Sequence, residues 1–263
     1  MLRTMKELTD FAVNATDGRV GALKDLLFDD QSWAVRFLVV KTDAWRAGRN
    51  VLISPIAIGS PEPDGRILEA AVTREQVRLS PDVDTEKPVS RQHEVENYGY
   101  YGYPFYWGGT GLWGNCARPA ALRAMLGGEA SEELTEGQQH FVAAQAEFHR
   151  QRGDDPHLRS CRTIVGDHIE AKDGRLGHVE GFVVDDETWA VRYLIVETSG
   201  WWLGHHVLIA PDWIADFNWL EATVSLELSR QSVKDAPAYD GHTLPNGNQE
   251  RALHAHQGAT HLS

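Results

Sequence analysis

The sequence of 263 residues has only two cysteines, Cys116 and Cys161, which lie far apart in the chain. Two distant cysteines do not make a disulfide framework or a paired-cysteine metal site, which favours a reducing compartment. No apolar stretch approaches the roughly 18 residues of a membrane span, and the first ten residues lack the apolar core of a signal peptide. We therefore expect a cytoplasmic protein without a membrane span.

Basic residues are also scarce. The chain has 25 Lys and Arg against 38 Asp and Glu, which gives a formal net charge of −13. Binding to nucleic acid or to an anionic lipid surface needs clustered Lys and Arg, because phosphate groups carry the negative charge there. The sequence has no run of basic residues, so we expect no nucleic-acid partner.

Familiar catalytic motifs are missing from the chain. We find no Gly-x-Ser-x-Gly, no P-loop, no Gly-x-Gly-x-x-Gly after a predicted strand and no His-Glu-x-x-His. The acid pairs Asp29-Asp30 and Asp185-Asp186 fall in predicted hairpin turns, where Asp is common for backbone reasons. Arg36 and Arg192 recur in mid-strand, where each is expected to pair with a carboxylate in a structural role. The sequence thus predicts a non-enzyme without a cofactor or a metal.

An internal duplication dominates what is present. Asp17-Gly18-Arg19-Val20-Gly21 returns 156 residues later as Asp173-Gly174-Arg175-Leu176-Gly177. From Asp17 to Asp84, 24 of 68 positions are identical to their counterparts at this spacing, without a gap. Two copies of one ancestral fold are therefore expected.

Each copy reads as five or six short strands with tight turns, which is typical of a small closed barrel. Asp17-Gly18 predicts a hairpin turn, and the segment from Trp33 to Thr42 is the strongest strand because it is rich in β-branched and aromatic residues. A capping box at Thr73 and Gln76 predicts a short closing helix. In the second copy, Ser229 at the N-cap and Pro237 as the stop predict the equivalent helix.

These motifs resemble the PRC-barrel domain family. The resemblance rests on Asp-Gly-Arg-x-Gly, on Trp-Ala-Val-Arg-(Phe/Tyr)-Leu-(Val/Ile)-Val, on the spacing of Thr42, Trp45 and Gly48, and on Val-Leu-Ile-x-Pro. It covers both repeats. The family includes the cytoplasmic part of the photosynthetic reaction-centre H subunit and the C-terminal domain of a ribosome maturation factor. We expect neither the membrane helix of the former nor the N-terminal domain of the latter, so the sequence is most similar to the stand-alone tandem members.

The resemblance implies a function, because barrels of this family dock on partner proteins. We expect a non-catalytic protein-binding and assembly module with an unidentified protein partner. A role like that of the H subunit, associated with photosynthesis or electron transport, would place it peripherally on a membrane complex. The predicted fold is mainly β, with two small PRC-type barrels in tandem, each with a short closing helix. Repeat 1 is predicted over 1–90, an aromatic and helical connector over 91–160, repeat 2 over 161–240, and a disordered tail over 241–263.

The connector opens with an unusual aromatic segment. No Lys or Arg lies between Arg91 and Arg118, so a stacking platform for single-stranded nucleic acid would lack its cations. An irregular arm that packs on a barrel or on a second subunit fits better, and we expect a homodimer. The rings that carry this hypothesis are Tyr98, Tyr100, Tyr101, Tyr103, Phe105, Tyr106, Trp107 and Trp113. Helices are predicted over 117–126 and from Thr135 to about Arg152.

The second repeat differs from the first by its Trp and His residues. The candidate interface there comprises Trp201, Trp202, His205 and His206, with Trp213 and Trp219 nearby. We expect these rings to pack on the connector or on the sister barrel, and the alternative function is a sensor that binds a small molecule or a metal through this half. Adjacent residues of a strand point in opposite directions, which disfavours joint ligation of one metal by His205 and His206. The tail histidines His254, His256 and His261 can trap adventitious metal.

Overall fold

A computed structural model describes residues 1–43, 49–61, 65–81, 89–107, 111–124, 157–198, 205–241, 243–245, 247, 250–251 and 253. The protein is mainly β and contains two multi-strand sheets. None of the helices in this part of the chain has the length and apolar character needed to cross a membrane. The chain divides into two compact units: the first-repeat unit comprises 7–160 and 186–190, and the second-repeat unit comprises 1–6, 161–185 and 191–263.

The strands of the described residues are short apart from one long strand in each repeat. They are β1 (Leu2–Thr4), β2 (Ala12–Ala15), β3 (Gly18–Asp29), β4 (Ala34–Thr42), β5 (Asn50–Ile53), β6 (Ile67–Glu69), β7 (Leu158–Ser160), β8 (His168–Ala171), β9 (Gly174–Asp185), β10 (Val191–Thr198), β11 (His206–Ile209), β12 (Ile214–Asn218), β13 (Thr223–Leu226) and β14 (Ala238–Tyr239). The α-helices are α1 (Met5–Leu8), α2 (Arg74–Leu79), α3 (Arg91–Tyr101), α4 (Pro119–Ala124), α5 (Cys161–Ile164) and α6 (Arg230–Lys234).

The first-repeat unit contains a sheet with the strand order β5-β4-β3-β2-β6, and β7 pairs with β3. The predicted turn at Asp17-Gly18 joins β2 to β3, and Gly18 has a φ of 135° that L-residues rarely adopt. Gly21 allows a close approach of β3 to β4, because a Cβ there would lie 2.0 Å from the carbonyl oxygen of Lys41. Every residue of β4 except Lys41 is buried, so this strand forms the centre of the core.

The second-repeat unit contains a sheet with the order β12-β13-β8-β9-β10-β11-β14, and β1 pairs with β9. It repeats the backbone details of the first. Gly174 has a φ of 128°, and a Cβ on Gly177 would lie 1.9 Å from the carbonyl oxygen of Glu197. Trp33 and Trp189, also 156 positions apart, both have positive φ, at 55° and 58°. The duplication seen in the sequence thus extends to unusual backbone conformations.

The strand that precedes each repeat belongs to the sheet of the other repeat. Leu2 of β1 lies opposite Asp185 of β9, whereas Leu158 of β7 lies opposite Asp29 of β3. These positions are equivalent, since Leu2 and Asp29 each differ from their counterparts by 156 residues. The two sheets have therefore exchanged one strand each, a pairing that the sequence analysis did not predict.

The closing helices form as predicted. Thr73 Oγ1 accepts a hydrogen bond from the Gln76 N–H at 3.1 Å, and Gln76 Oε1 accepts one from the Thr73 N–H at 2.8 Å. Ser229 Oγ likewise accepts from the Ser232 N–H at the start of α6, at 3.1 Å. The hairpin carboxylate of Asp17 accepts from the first N–H of α2, that of Arg74, at 2.7 Å. Asp173 accepts in the same way from the Arg230 N–H of α6 at 2.7 Å, so each helix is tied to the hairpin turn of its own repeat.

The sequence predicted an irregular arm at the start of the connector, whereas the structure has a helix there. Residues Arg91–Tyr101 form helix α3, which ends at Gly102 in the left-handed conformation with a φ of 69°. Glycine and tyrosine are weak helix formers, but burial of one face of the helix outweighs this small preference. The helix predicted over 117–126 is present as α4, Pro119–Ala124. The helix predicted from Thr135 lies outside the described residues.

Candidate functional site

Five of the eight connector rings predicted to form an interface are buried in the first-repeat unit. Tyr98 is fully buried and contacts Phe37 with a centroid distance of 5.8 Å and Tyr103 with one of 5.9 Å. Tyr101, Tyr103, Tyr106 and Trp113 are buried as well. Phe105 and Trp107 are half-buried, and Tyr100 is exposed and donates a hydrogen bond to the Gln76 carbonyl. The predicted homodimer has no further support here and stays a prediction.

Arg36 lies beneath these rings. Its guanidinium carbon is 3.6 Å from the centroid of the Tyr106 ring, which is a cation–π contact. The same group donates hydrogen bonds to the Leu112 carbonyl at 2.8 Å and to Ser32 Oγ at 2.9 Å. It lies 3.8 Å from the carboxylate of Asp29, as expected for a structural pairing with an acid. Since the Arg36 side chain is 2% exposed, this cation binds the connector to β4 rather than an external ligand.

The pKa values of Asp29 and Asp30, the acid pair at the end of β3, are shifted in opposite directions by their surroundings. Burial raises the pKa of Asp29, but the N–H groups of Ser32 and Gln31 and the charge of Arg36 outweigh it and leave that pKa below its usual value. Burial also raises the pKa of Asp30, and the 3.0 Å contact with Arg159 only partly offsets it, so that pKa stays above the usual value. The turn interpretation of this pair agrees with the hydrogen bonds that Asp29 accepts.

Glu94 of helix α3 contacts two other polar side chains, those of Tyr106 and His157. Glu94 is fully buried, accepts a hydrogen bond from the Tyr106 hydroxyl at 2.6 Å and lies 3.3 Å from His157 Nε2. An acid, a phenol and an imidazole can exchange protons, but all three are buried. In this arrangement they hold the helix to β7, which His157 directly precedes. Sequence analysis missed Glu94 and His157, because nothing in the sequence showed that the connector helix would be buried.

The Trp and His residues predicted in the second repeat have different surroundings. Trp201 and Trp202 lie outside the described residues. Trp213 is buried, and His205 is exposed. His206 Nε2 lies 2.8 Å from a carboxylate oxygen of Glu180. In the described part of the chain, no three His, Cys, Asp or Glu side chains already surround a point where a metal ion could sit.

Among the described residues of the second-repeat unit, the most exposed large apolar side chain lies at the tip of the hairpin between β12 and β13. Leu220 is 99% exposed and Trp219 is 39% exposed. The Trp219 ring stacks on the Phe217 ring with a centroid distance of 4.7 Å and an interplanar angle of 3°. We call Phe217, Trp219 and Leu220 the apolar tip.

Local hydrogen bonds fix the backbone of the apolar tip. Asn218 Oδ1 accepts from the N–H groups of Leu220 and Glu221 at 3.2 and 3.1 Å, and Asn218 Nδ2 donates to the Glu221 carboxylate at 3.0 Å. Ala222 adopts a positive φ of 48°, and its carbonyl accepts from the His168 N–H. The tip is therefore pre-organised, which reduces the entropy lost when a partner binds.

The first repeat shows how unusual this tip is. Residues 218–221 read Asn-Trp-Leu-Glu, whereas their counterparts at 62–65 read Glu-Pro-Asp-Gly. A segment without large apolar side chains in the first repeat thus corresponds to one with a Trp and a Leu in the second. Sequence analysis noted Trp219 but missed Phe217 and Leu220, although the comparison of the repeats at these positions was a usable signal.

Acidic residues flank the apolar tip in the sequence. No Lys or Arg lies between Arg192 and Arg230, whereas that stretch contains five acidic residues. Asp216 lies in β12 and Glu221 in the turn, on either side of Trp219. A partner complementary to this site would offer an apolar pocket with a basic rim.

Comparison with known proteins adds no relative. No family model matches the chain, and no curated protein is significantly similar to it.

Proposed function

We propose that the chain is a non-catalytic protein-binding and assembly module of the PRC-barrel kind. The observation that carries the proposal is the pre-organised apolar tip, in which Leu220 is 99% exposed. Single exposed apolar residues are common on protein surfaces. Here a stacked Trp and a projecting Leu share one rigid turn, and buried Trp is among the residues that contribute most to binding at interfaces.

Closure of each sheet into a small barrel is part of the proposal. In the first-repeat unit, Ile58 follows β5 and pairs with Ala70, which follows β6. The Gly59 N–H donates to the Glu69 carbonyl at 2.8 Å. In the second-repeat unit, the corresponding link is the pairing of β12 with β13, since β12 follows β11 after the short helix Pro211–Trp213. These ladders support two closed barrels in which paired edges leave few free strand groups.

The partner is a protein with an apolar pocket and a basic rim. Association with a cytoplasmic face of a membrane complex, as for the reaction-centre H subunit that the repeats resemble, is the particular role we propose. A second copy of the chain is a less complementary partner for the apolar tip, because the chain has a formal net charge of −13.

Affinity capture from lysate of the source cells tests the proposal. The wild-type chain is compared with a double variant, W219A with L220S, and captured proteins are quantified by mass spectrometry. We expect one protein to be enriched by the wild type and lost with the double variant, and its binding to weaken as salt rises, because acidic and basic groups steer the contact.

The matched control is Leu79→Ser, which removes a similarly exposed leucine, 56% exposed, from the first-repeat unit. It should capture the same protein as the wild type. Sedimentation velocity at micromolar concentration reports the homodimer separately. Equal capture by the wild type and the tip double variant would overturn the proposal.

A further inference from the structure

Three adjacent strands of the second-repeat unit align a row of His and Glu side chains. Glu197 of β10 lies directly opposite His178 of β9 on one side and opposite His206 of β11 on the other. Residues directly opposite each other in a ladder project from the same face of the sheet. The row His178, Glu197, His206 therefore crosses one face, and Glu180 follows His178 by two residues on the same strand.

The side chains of this group already form two close pairs. His178 Nε2 lies 3.2 Å from Glu197 Oε2, and His206 Nε2 lies 2.8 Å from Glu180 Oε2. All four are partly exposed, from 27% for His206 to 47% for Glu180. They can change rotamer without disturbing the core, and an ion can reach them from solvent.

The first repeat lacks every one of these side chains. The residues 156 positions earlier are Ala22, Lys24, Lys41 and Asn50. None of the four is a histidine or an acid, although the surrounding backbone is shared down to the close approach at Gly21 and Gly177. The His and Glu group is thus a property of one repeat and is not required by the fold.

We propose that this face of the second-repeat unit binds a divalent transition-metal ion of the Zn²⁺ class through His178 and His206, with Glu197 between them as the carboxylate ligand. Neutral imidazole and carboxylate are ordinary ligands of such ions. Metal–ligand bonds of about 2.0–2.1 Å place tetrahedral ligand atoms about 3.3 Å apart, close to the 3.2 Å that separates His178 from Glu197.

Formation of the site needs one rearrangement. His206 leaves Glu180 and turns toward Glu197, its direct neighbour in the ladder. The metal compensates because it satisfies both imidazoles and the carboxylate. Since a ligating imidazole must be neutral, binding weakens as pH falls. The inference does not depend on the protein-binding role, and it gives the metal-binding alternative a specific site.

Titration of the full-length, tag-free chain with Co²⁺ and Zn²⁺ tests the site, with calorimetry for affinity and the visible absorption of Co²⁺ for geometry. Three variants are compared: H178A with H206A, E197Q, and H254A with H256A and H261A. We expect the first to weaken Zn²⁺ binding more than about tenfold and to abolish the tetrahedral Co²⁺ spectrum, and the second to weaken it less. The tail variant should retain both signals.

Two results would overturn the site. One is unchanged Zn²⁺ affinity in the H178A with H206A variant, and the other is loss of all binding in the tail variant, which would assign the ion to adventitious tail ligation. Circular dichroism of each variant shows whether it folds. Because His178, Glu197 and His206 are all partly exposed, their substitution is not expected to unfold the protein.

Discussion

The guanidinium carbon of Arg36 lies 3.6 Å from the centre of the Tyr106 ring, although 70 positions separate them in the sequence. Arg192, the counterpart of Arg36 in the second repeat, instead makes a partly exposed ion pair with Glu250 at 3.0 Å. Equivalent arginines of the two repeats thus have different roles: Arg36 holds a buried aromatic segment in one unit, and Arg192 pairs with a partly exposed carboxylate in the other. The two positions make a matched pair for substitution.

Arg36→Lys should lower the free energy of unfolding by about 2–4 kcal/mol, because lysine keeps the charge but loses the planar contact with Tyr106 and most of the hydrogen bonds. Arg192→Lys should change it by less than about 1 kcal/mol, as expected of a partly exposed pair. Urea denaturation of both variants measures the difference. Similar losses in the two would contradict the assigned role of Arg36.

Gly21→Ala should be strongly destabilising, by about 3 kcal/mol or more, because the new Cβ would overlap the Lys41 carbonyl oxygen at 2.0 Å. Gly59→Ala serves as the control, since its nearest neighbour outside the adjacent residues, the Glu69 carbonyl oxygen, would lie at 3.6 Å. That change should stay within about 1 kcal/mol. Thermal and urea unfolding of the two variants compare them, and a tolerated Gly21→Ala would refute the close approach of the strands.

Asp29 should make stability depend on acid pH. Its pKa in the folded chain lies below the ordinary value of 3.8, so its contribution is complete above that value and is lost as pH falls through the folded-state pKa. Asp29→Asn keeps an oxygen that accepts from Gln31 and Ser32 but carries no charge. The wild type should therefore exceed this variant in unfolding free energy at neutral pH, and the gap should narrow as pH falls below 3.8 and through the folded-state pKa.

Asp30, the next residue, should give the free energy of unfolding the opposite dependence on pH. Its folded-state pKa is raised, so its contribution is present at low pH and is lost as pH rises from 3.8 through that pKa. Relative to the wild type, Asp30→Asn should gain stability over this range. The same series of urea titrations reports both variants, and parallel pH profiles would show that the two carboxylates do not differ in environment.

Because β1 and β7 each pair with the sheet of the other repeat, a proline in either strand should weaken that other sheet. Arg3→Pro should reduce amide hydrogen-exchange protection at Val183, Val184 and Asp185 of β9, because proline cannot contribute an N–H to the ladder. It should leave Leu27–Asp29 of β3 protected. Arg159→Pro should do the reverse, and loss of protection in the sheet of the same repeat in either case would refute the exchange.

Local structure was predictable from the sequence where the chain itself supplies the reason. The turn at Asp17-Gly18 follows from the conformational freedom of glycine, and the helix cap at Thr73 follows from two side chains three residues apart. Helix α3 was not predicted, since its second half is rich in Asn, Gly and Tyr, which are weak helix formers, and the burial of side chains such as Tyr98 is a long-range contact. The partners of β1 and β7 depend on long-range contacts that no local pattern contains.

The candidate site, too, could be predicted only in part from the sequence. Tryptophans were visible in the sequence as candidates, but burial sorts them: Trp113 and Trp213 lie inside, and Trp219 lies at a surface. Likewise, the ladder rather than spacing in the chain brings Glu197 between His178 and His206.

The exchanged strands also set the order in which the molecule can be completed during translation. Residues Leu27–Asp29 lack their β7 partner until Leu158–Ser160 have left the ribosome, well over a hundred residues later. During that interval the nascent chain carries an open edge of the kind that recruits other chains. An expressed fragment that stops at residue 90 would keep this edge permanently, so it should be a poor substitute for half of the protein.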